Sequence, residues 1–358
     1  MANKKSKILG SLLGAAVGDA MGAATETRTT ALIKKQFNGL VTDFVEPPCD
    51  NLARGTEAGV VTDDFSIAYF TAEEMLKAQS SITKEIAEEA LVRWSKHPEY
   101  TRFIGPTTRA AIDVLINPAT RVEITKLKGE VESDSGIPDS FFDGILCNNS
   151  RVTNGAGMKA GIIGLFNINC LDKAIDDAIV MCLPTHNNTI ALSGGCAIAT
   201  ATAKALEDNV SYYEVIEAGI YGAAEGFKRA EKIARPVAGG NIEKKIRLAV
   251  EIGMRNQDDF EKAMNEISDI IGGGLYAYEA IPAVFGHIAA CKGRVMDSIL
   301  MGVNAGDDTD TVACMTGFIT GALCGIEVIP GNYLELIDKM NNFNLAKMAN
   351  DIDELIKR

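Results

Sequence analysis

The chain has 358 residues, with 35 Lys and Arg against 48 Asp and Glu, giving a net charge of −13. At 47% hydrophobic and 23% charged it is an ordered chain long enough to bury a substantial core, which excludes intrinsic disorder. Its acidic balance repels phosphate backbones and argues against general nucleic-acid binding.

The opening Met-Ala-Asn-Lys-Lys-Ser-Lys is basic, but the apolar run behind it is short, glycine-rich and ends at Asp19, unlike a secretory signal. Ile8 to Met21 carries apolar residues at helical spacing. Gly10, Gly14, Gly18 and Gly22 stand four apart and share one helix face, where a neighbouring backbone can come close. Further helices are expected over 65–78, entered through Thr62-Asp63-Asp64, over 83–95 with Trp94 in the core, and over 107–116, stopped by Asn117-Pro118. Residues 121–150 are polar and mixed and read as a surface excursion. Helical patterns resume over 156–166, 171–182, 190–207, 212–232, 242–255, 258–271, 276–291, 294–304, 310–324 and 333–348.

The glycine stripe recurs at Gly317, Gly321 and Gly325. Glycine costs roughly 1 kcal/mol per helix-interior position relative to alanine, so two stripes call for a packing reason. Two central helices in close contact, one near each end of the chain, would bring the termini together in one domain spanning 1–358. Aromatic residues are only 6%, and alternating strand patterns are almost absent. The expected fold class is therefore all-α. No uncharged, strongly apolar stretch reads as a spanning helix, so a soluble, cytoplasmic protein with no membrane contact is expected.

The eight cysteines form no CxxC pair and read as small buried hydrophobes in a reducing compartment. The three histidines, His97, His186 and His287, are far apart and make no zinc motif. Any metal should be hard and oxygen-ligated, and no GxGxxG follows a predicted strand to suggest a dinucleotide fold. His97 and His287 read as ordinary structural residues.

Two acidic clusters remain. Thr62-Asp63-Asp64 can be a helix cap. Gly306-Asp307-Asp308-Thr309-Asp310-Thr311 holds more carboxylates than a cap needs. Three within four residues repel one another, and the following Val312-Ala313-Cys314-Met315 supplies no cation. A divalent cation would neutralise them, and carboxylate plus hydroxyl oxygens suit Mg²⁺, Mn²⁺ or Ca²⁺. If the glycine-striped helices pack together, both clusters can build one binuclear site.

These motifs, in this order, resemble the ADP-ribosylglycohydrolase family. Gly10 to Gly22 followed by Glu26 is similar to its opening segment, Thr62-Asp63-Asp64 to its first metal motif and Gly306 to Thr311 to its second. Thr153 to Lys159 resembles its glycine-rich substrate loop, Thr185-His186 its Thr-His pair, and Gly272-Gly273-Gly274 through Pro282 a further glycine-rich helix entrance. The resemblance runs from about residue 8 to 335 and implies a compact orthogonal multi-helix bundle of that family's type.

The resemblance implies two Mg²⁺ ions, with Mn²⁺ able to substitute, held by Thr62, Asp63, Asp64, Asp308, Asp310 and Thr311. It makes Glu26 and Asp308 the catalytic carboxylates and Asn154, Gly155, Ala156, His186 and Gly273 the substrate-binding residues. Asp19, inside the first helix, is read as structural, bonding neighbouring backbone or supporting the metal shell. Four departures from the family pattern stand out: Lys159 in place of Arg, Phe65 in place of Thr, Asp307 in place of Gly and Pro184 before Thr185. The expected activity is Mg²⁺-dependent hydrolysis of the glycosidic bond between ADP-ribose and a protein side chain or related riboside. The alternatives are a hydrolase of a small nucleoside or other riboside, and a non-catalytic metal- or ADP-ribose-binding or crystallin-like member. The expected partner is an ADP-ribose-containing substrate, including an ADP-ribosylated protein; the sequence leaves linkage and oligomeric state open.

Overall fold

The computed structural model describes residues 3–117 and 152–357; the expected surface excursion at 121–150, with Cys147, lies outside them. The described residues form α-helices, one short 3-10 turn and no strand. The helices are α1 (Lys4–Gly22), α2 (Thr30–Gln36), α3 (Asp63–Ala78), α4 (Lys84–Trp94), α5 (Pro98–Thr101) and α6 (Pro106–Ile116). After residue 152 come α7 (Gly155–Phe166), α8 (Leu171–Cys182), α9 (Thr189–Ala205), α10 (Tyr212–Ala230), α11 (Ile242–Arg255) and α12 (Phe260–Ile270). The last five are α13 (Ala277–Ala290), α14 (Val295–Asn304), α15 (Thr309–Cys324), α16 (Gly331–Asn341) and α17 (Leu345–Ile356).

The two glycine stripes meet. A Cβ on Gly14 would stand 2.7 Å from the Gly317 carbonyl oxygen, and one on Gly321 2.1 Å from the Gly10 oxygen. Farther along, a Cβ on Gly18 would lie 2.2 Å from Ala313 O, and one on Gly22 2.4 Å from Asp310 Cα. Real Cβ atoms do not come that near, so α1 and α15 touch backbone to backbone and run antiparallel. Ser11 Oγ adds a bond across the seam to Phe318 O at 2.6 Å. Antiparallel packing sets the C-terminal end of α1 beside the N-terminal end of α15, which places Asp19 and Glu26 against Asp308 and Asp310.

Around this pair, the Phe65 ring of α3 packs on Phe318 and Phe343, with centroids 5.9 and 5.8 Å away. The common Thr is thus replaced by a core ring. Trp94 is fully buried, as expected, and its indole donates to Ser66 Oγ at 2.9 Å. The chain ends also come together, with Lys5 Nζ donating to Asn350 Oδ1 at 2.9 Å.

The structure departs from the sequence reading in its short elements. Helices α2 and α5 were not expected. The single helix expected over 333–348 is two helices: Asn342 turns left-handed at φ 53° to stop α16, and the Asn344 side chain accepts from Lys347 N to start α17. Cys182, Cys196, Cys291 and Cys314 are buried, but Cys49 and Cys170 are exposed. No helix among the described residues is long and apolar enough to cross a membrane.

Candidate metal centre and active site

The site starts from helix ends. The first amides of α3 have no partners inside the helix, and Asp19, fully buried near the end of α1, takes two of them. Its Oδ1 accepts from Thr62 N and its Oδ2 from Phe65 N, both at 2.9 Å. Thr62 Oγ1 accepts from Asp64 N at 3.3 Å, so capping is part of the first cluster's work. With the amides satisfied in this way, Asp64 turns across to α15, where Thr311 Oγ1 donates to its two oxygens at 2.9 and 3.2 Å.

The second cluster sits on a turn that glycine geometry shapes. Gly306 has φ 88° and Asp307 φ 66°. The left-handed conformation at 307 accounts for the family's glycine there, and Asp is one of the few side chains that tolerate it. Asp308 N donates to Gly273 O at 3.2 Å, and Asp308 Oδ2 accepts from Asn154 Nδ2 at 2.7 Å. The turn pairs with the loop after α1: Thr27 N donates to Asp307 O at 2.7 Å, and Asp307 N to Arg28 O at 2.8 Å. Thr27 is held at φ 63°, a strained position for a β-branched residue that costs about 1–3 kcal/mol.

Carboxylates converge here in two groups whose oxygens lie within 4.8 Å of one another: Asp19, Asp64 and Asp310, and Glu26, Asp308 and Asp310. Asp310 belongs to both. Asp63 belongs to neither but lies close enough to Asp19 and Asp308 to feel their charge. Arg28, the cation that acts on Glu26, forms its ion pair with Asp50 instead. Burial, and then the charges of Asp308, Asp63 and Asp19, push Glu26 up to about 8. Burial and Asp19 push Asp63 up to about 8, and burial lifts Asp19 to about 7 against the pull of its backbone bonds. Asp64 and Asp310 are raised well above the ordinary carboxylate range, by burial first and then by their acidic neighbours. Such a group is stable when it holds protons or a cation, and an all-oxygen donor set suits a hard divalent ion.

The residues implied to bind substrate gather on one flank. Asn154 is 4% exposed, and its amide group is committed to Asp308 and to Gly274 O at 3.3 Å. Its own N–H donates to Leu275 O at 2.9 Å, and Ala277 N donates to Val152 O, which ties the 152–154 segment to the glycine-rich entrance of α13. Asn154 and Gly273 thus both hold Asp308. A Cβ on Gly155 would lie 2.9 Å from the His186 ring, so that ring packs directly on the start of α7. Ala156 is buried, and its carbonyl accepts from Cys182 Sγ. His186 lies between Thr153 Oγ1 and Thr185 Oγ1, each 2.8 Å away, and Lys159 Nζ donates to Thr185 Oγ1 at 2.7 Å. Burial and the nearby Lys159 charge push His186 well below its usual value, so it is a neutral hydrogen-bonding group.

Three participants were not among the site residues expected from sequence. Asp19 joins a converging carboxylate group as well as capping α3; its signal was an acid in the middle of an apolar helix, which is rarely buried without a role. Thr153 pairs with His186, and Arg28 anchors the Glu26 loop. His97 contacts Glu99 on the surface. His287 is buried, but neither ring nitrogen has a hydrogen-bond partner among the described residues, and burial pushes it down to about 3.

The family model described as ADP-ribosylglycohydrolase matches residues 1–358. The chain belongs to that family and is a hydrolase of the class that acts on ADP-ribose glycosidic bonds. Among similar proteins, ADP-ribosylhydrolase ARH3 of Mus musculus is 22% identical over 340 residues, covering 92% of this chain and 86% of its own. ADP-ribosylarginine hydrolase Tri1 of Pseudomonas putida is 24% identical over 355 residues, covering 97% and 80%. A solved structure titled ADP-ribosylglycohydrolase-related protein complex superposes with a TM-score of 0.65 at 21% identity, over 99% of both chains, and shows the same fold.

Proposed function

We propose that this chain, acting as one domain, is a Mg²⁺-dependent hydrolase of the bond between the anomeric ribose carbon of ADP-ribose and a protein side chain. The observation that carries this reading is the shared position of Asp310 in two converging carboxylate groups, which suits a pair of divalent cations with one bridging acid. Thr62, Asp63, Asp64, Asp308, Asp310 and Thr311 would hold them, and Asp19 stands close enough to assist. Bound there, Mg²⁺ or Mn²⁺ supplies Lewis acidity that lowers the pKa of water and orients the ribose hydroxyls.

The chain's own groups do the rest. Glu26, in its ionised form, takes a proton from the attacking water. The water oxygen bonds to the anomeric carbon as the bond to the side-chain nitrogen or oxygen breaks, and the proton that Glu26 took from the water goes on to the leaving group. Asn154 fixes Asp308 through the 2.7 Å bond, so that carboxylate is aimed before substrate arrives. The Gly155 and Ala156 amides at the start of α7 precede the helix's own bonding ladder and face an anion favourably. His186, neutral and bonded to two threonines through both ring nitrogens, packs on the start of α7 and fixes Thr153 beside them.

ADP-ribosylarginine and an ADP-ribosylserine peptide, each incubated with metal-free protein, with Mg²⁺ and with chelator, test the reading by release of free ADP-ribose. Release from at least one substrate with Mg²⁺, and none with chelator, is expected. No release from either, or release that chelator leaves intact, would overturn it.

A further inference from the structure

Glu26 sits on a strained loop, and one side chain holds that loop from behind. The Arg28 side chain is 3% exposed. Its Nη1 donates to the Glu26 carbonyl at 2.9 Å, its Nη2 to Asp50 Oδ1 at 2.7 Å and its Nε to Gln36 Oε1 at 2.7 Å. The three bonds tie the backbone of Glu26 to the end of α2 and to the segment after it. Asn51, 1% exposed, adds a long contact from Nδ2 to the same Glu26 carbonyl at 3.5 Å.

A cavity of about 460 Å³ lies along the loop, with Thr27, Arg28, Thr29, Thr30, Gly306 and Asp307 among its lining residues. Beside it the loop is held by backbone bonds to Asp307. Left-handed Thr27 lies between Glu26 and Arg28, so it can relax if either flank lets go. A planar guanidinium with three fixed partners resists that relaxation; a lysine ammonium keeps the charge but not the fork.

We infer that Arg28 is a positioning residue for the reaction: its guanidinium clamps the Glu26 carbonyl and thereby holds the Glu26 carboxylate against Asp308 and Asp310. This rests on the proposed role of Glu26 as the group that takes the water's proton. The Arg28 side-chain bonds go to the Glu26 carbonyl, Asp50 and Gln36; its charge also reaches the Glu26 carboxylate, and lysine keeps that charge while losing the fork.

The test is a double-mutant cycle between R28K and E26Q, with hydrogen exchange of the peptide spanning residues 22–31 measured in parallel. R28K should lower kcat about ten- to a hundredfold, leave KM within about twofold, and speed exchange in that peptide, because a small misplacement of a reacting group carries that penalty. In the E26Q background the same substitution should change kcat less than about twofold, since a clamp with nothing to position has no further effect. Penalties that multiply in full would show a general structural role and overturn the inference, as would exchange and kcat both unchanged by R28K. If the wild-type protein releases no ADP-ribose, the functional reading fails separately; exchange alone then decides the clamp, faster exchange in R28K supporting it and unchanged exchange overturning it.

Discussion

Asn154 was expected to serve the substrate, and its side chain is committed to Asp308. N154A would leave that carboxylate oxygen without its donor and free to rotate. Loss of such a supporting bond typically costs about 10- to 100-fold in metal affinity or activity. Calorimetry with Mn²⁺, together with turnover, should show that loss in N154A with the circular-dichroism spectrum unchanged. Wild-type affinity and rate would mean that Asp308 needs no such support. At this scale the acidic residues were legible, because three carboxylates in four positions with no nearby cation demand an explanation from chemistry alone. Asp19 and Arg28 were not. Asp19 works through amides 43 and 46 positions away, and Arg28 through Asp50 at a distance of 22. Nothing local in either segment announces those partners.

The helix pair α1 and α15 carries acids from both ends of the sequence to one point. G14A would push a methyl group to 2.7 Å from the Gly317 carbonyl, where only backbone could give way. Overpacking of this kind costs about 1–3 kcal/mol, and urea denaturation of G14A should show it. G331A, at the start of α16 with nothing within 4 Å of the new methyl, should be close to neutral. Equal stability in the two variants would mean that the seam yields easily. The stripes could be read in the sequence because four-residue glycine spacing is costly unless another backbone lies against it. The short helices could not. Seven-residue α2 is capped by Thr29 and ends beside a left-handed Asn38, too brief for a period to register. The break between α16 and α17 depends on Asn342 adopting a left-handed turn, which asparagine does less predictably than glycine.

Across the whole molecule, a chain of net charge −13 gathers several buried acids where the end of α1 meets the starts of α3 and α15. Three of them, Asp19, Glu26 and Asp63, are pushed from ordinary values of 3.8, 4.5 and 3.8 up to about 7, 8 and 8. Between about pH 4 and 8 these three groups therefore hold more protons in the folded metal-free protein than in the unfolded chain, and the stability they contribute falls as pH rises through that window. A divalent cation competes with those protons, so its affinity should rise over the upper part of the same range. The most direct measurement is a calorimetric titration of Mn²⁺ into metal-free protein at about pH 6 and pH 8, set beside the D310N variant. The account predicts two ions per chain, tighter binding and fewer protons released at pH 8 than at pH 6, and loss of both sites in D310N. No binding in the wild-type protein, or two intact sites in D310N, would contradict it.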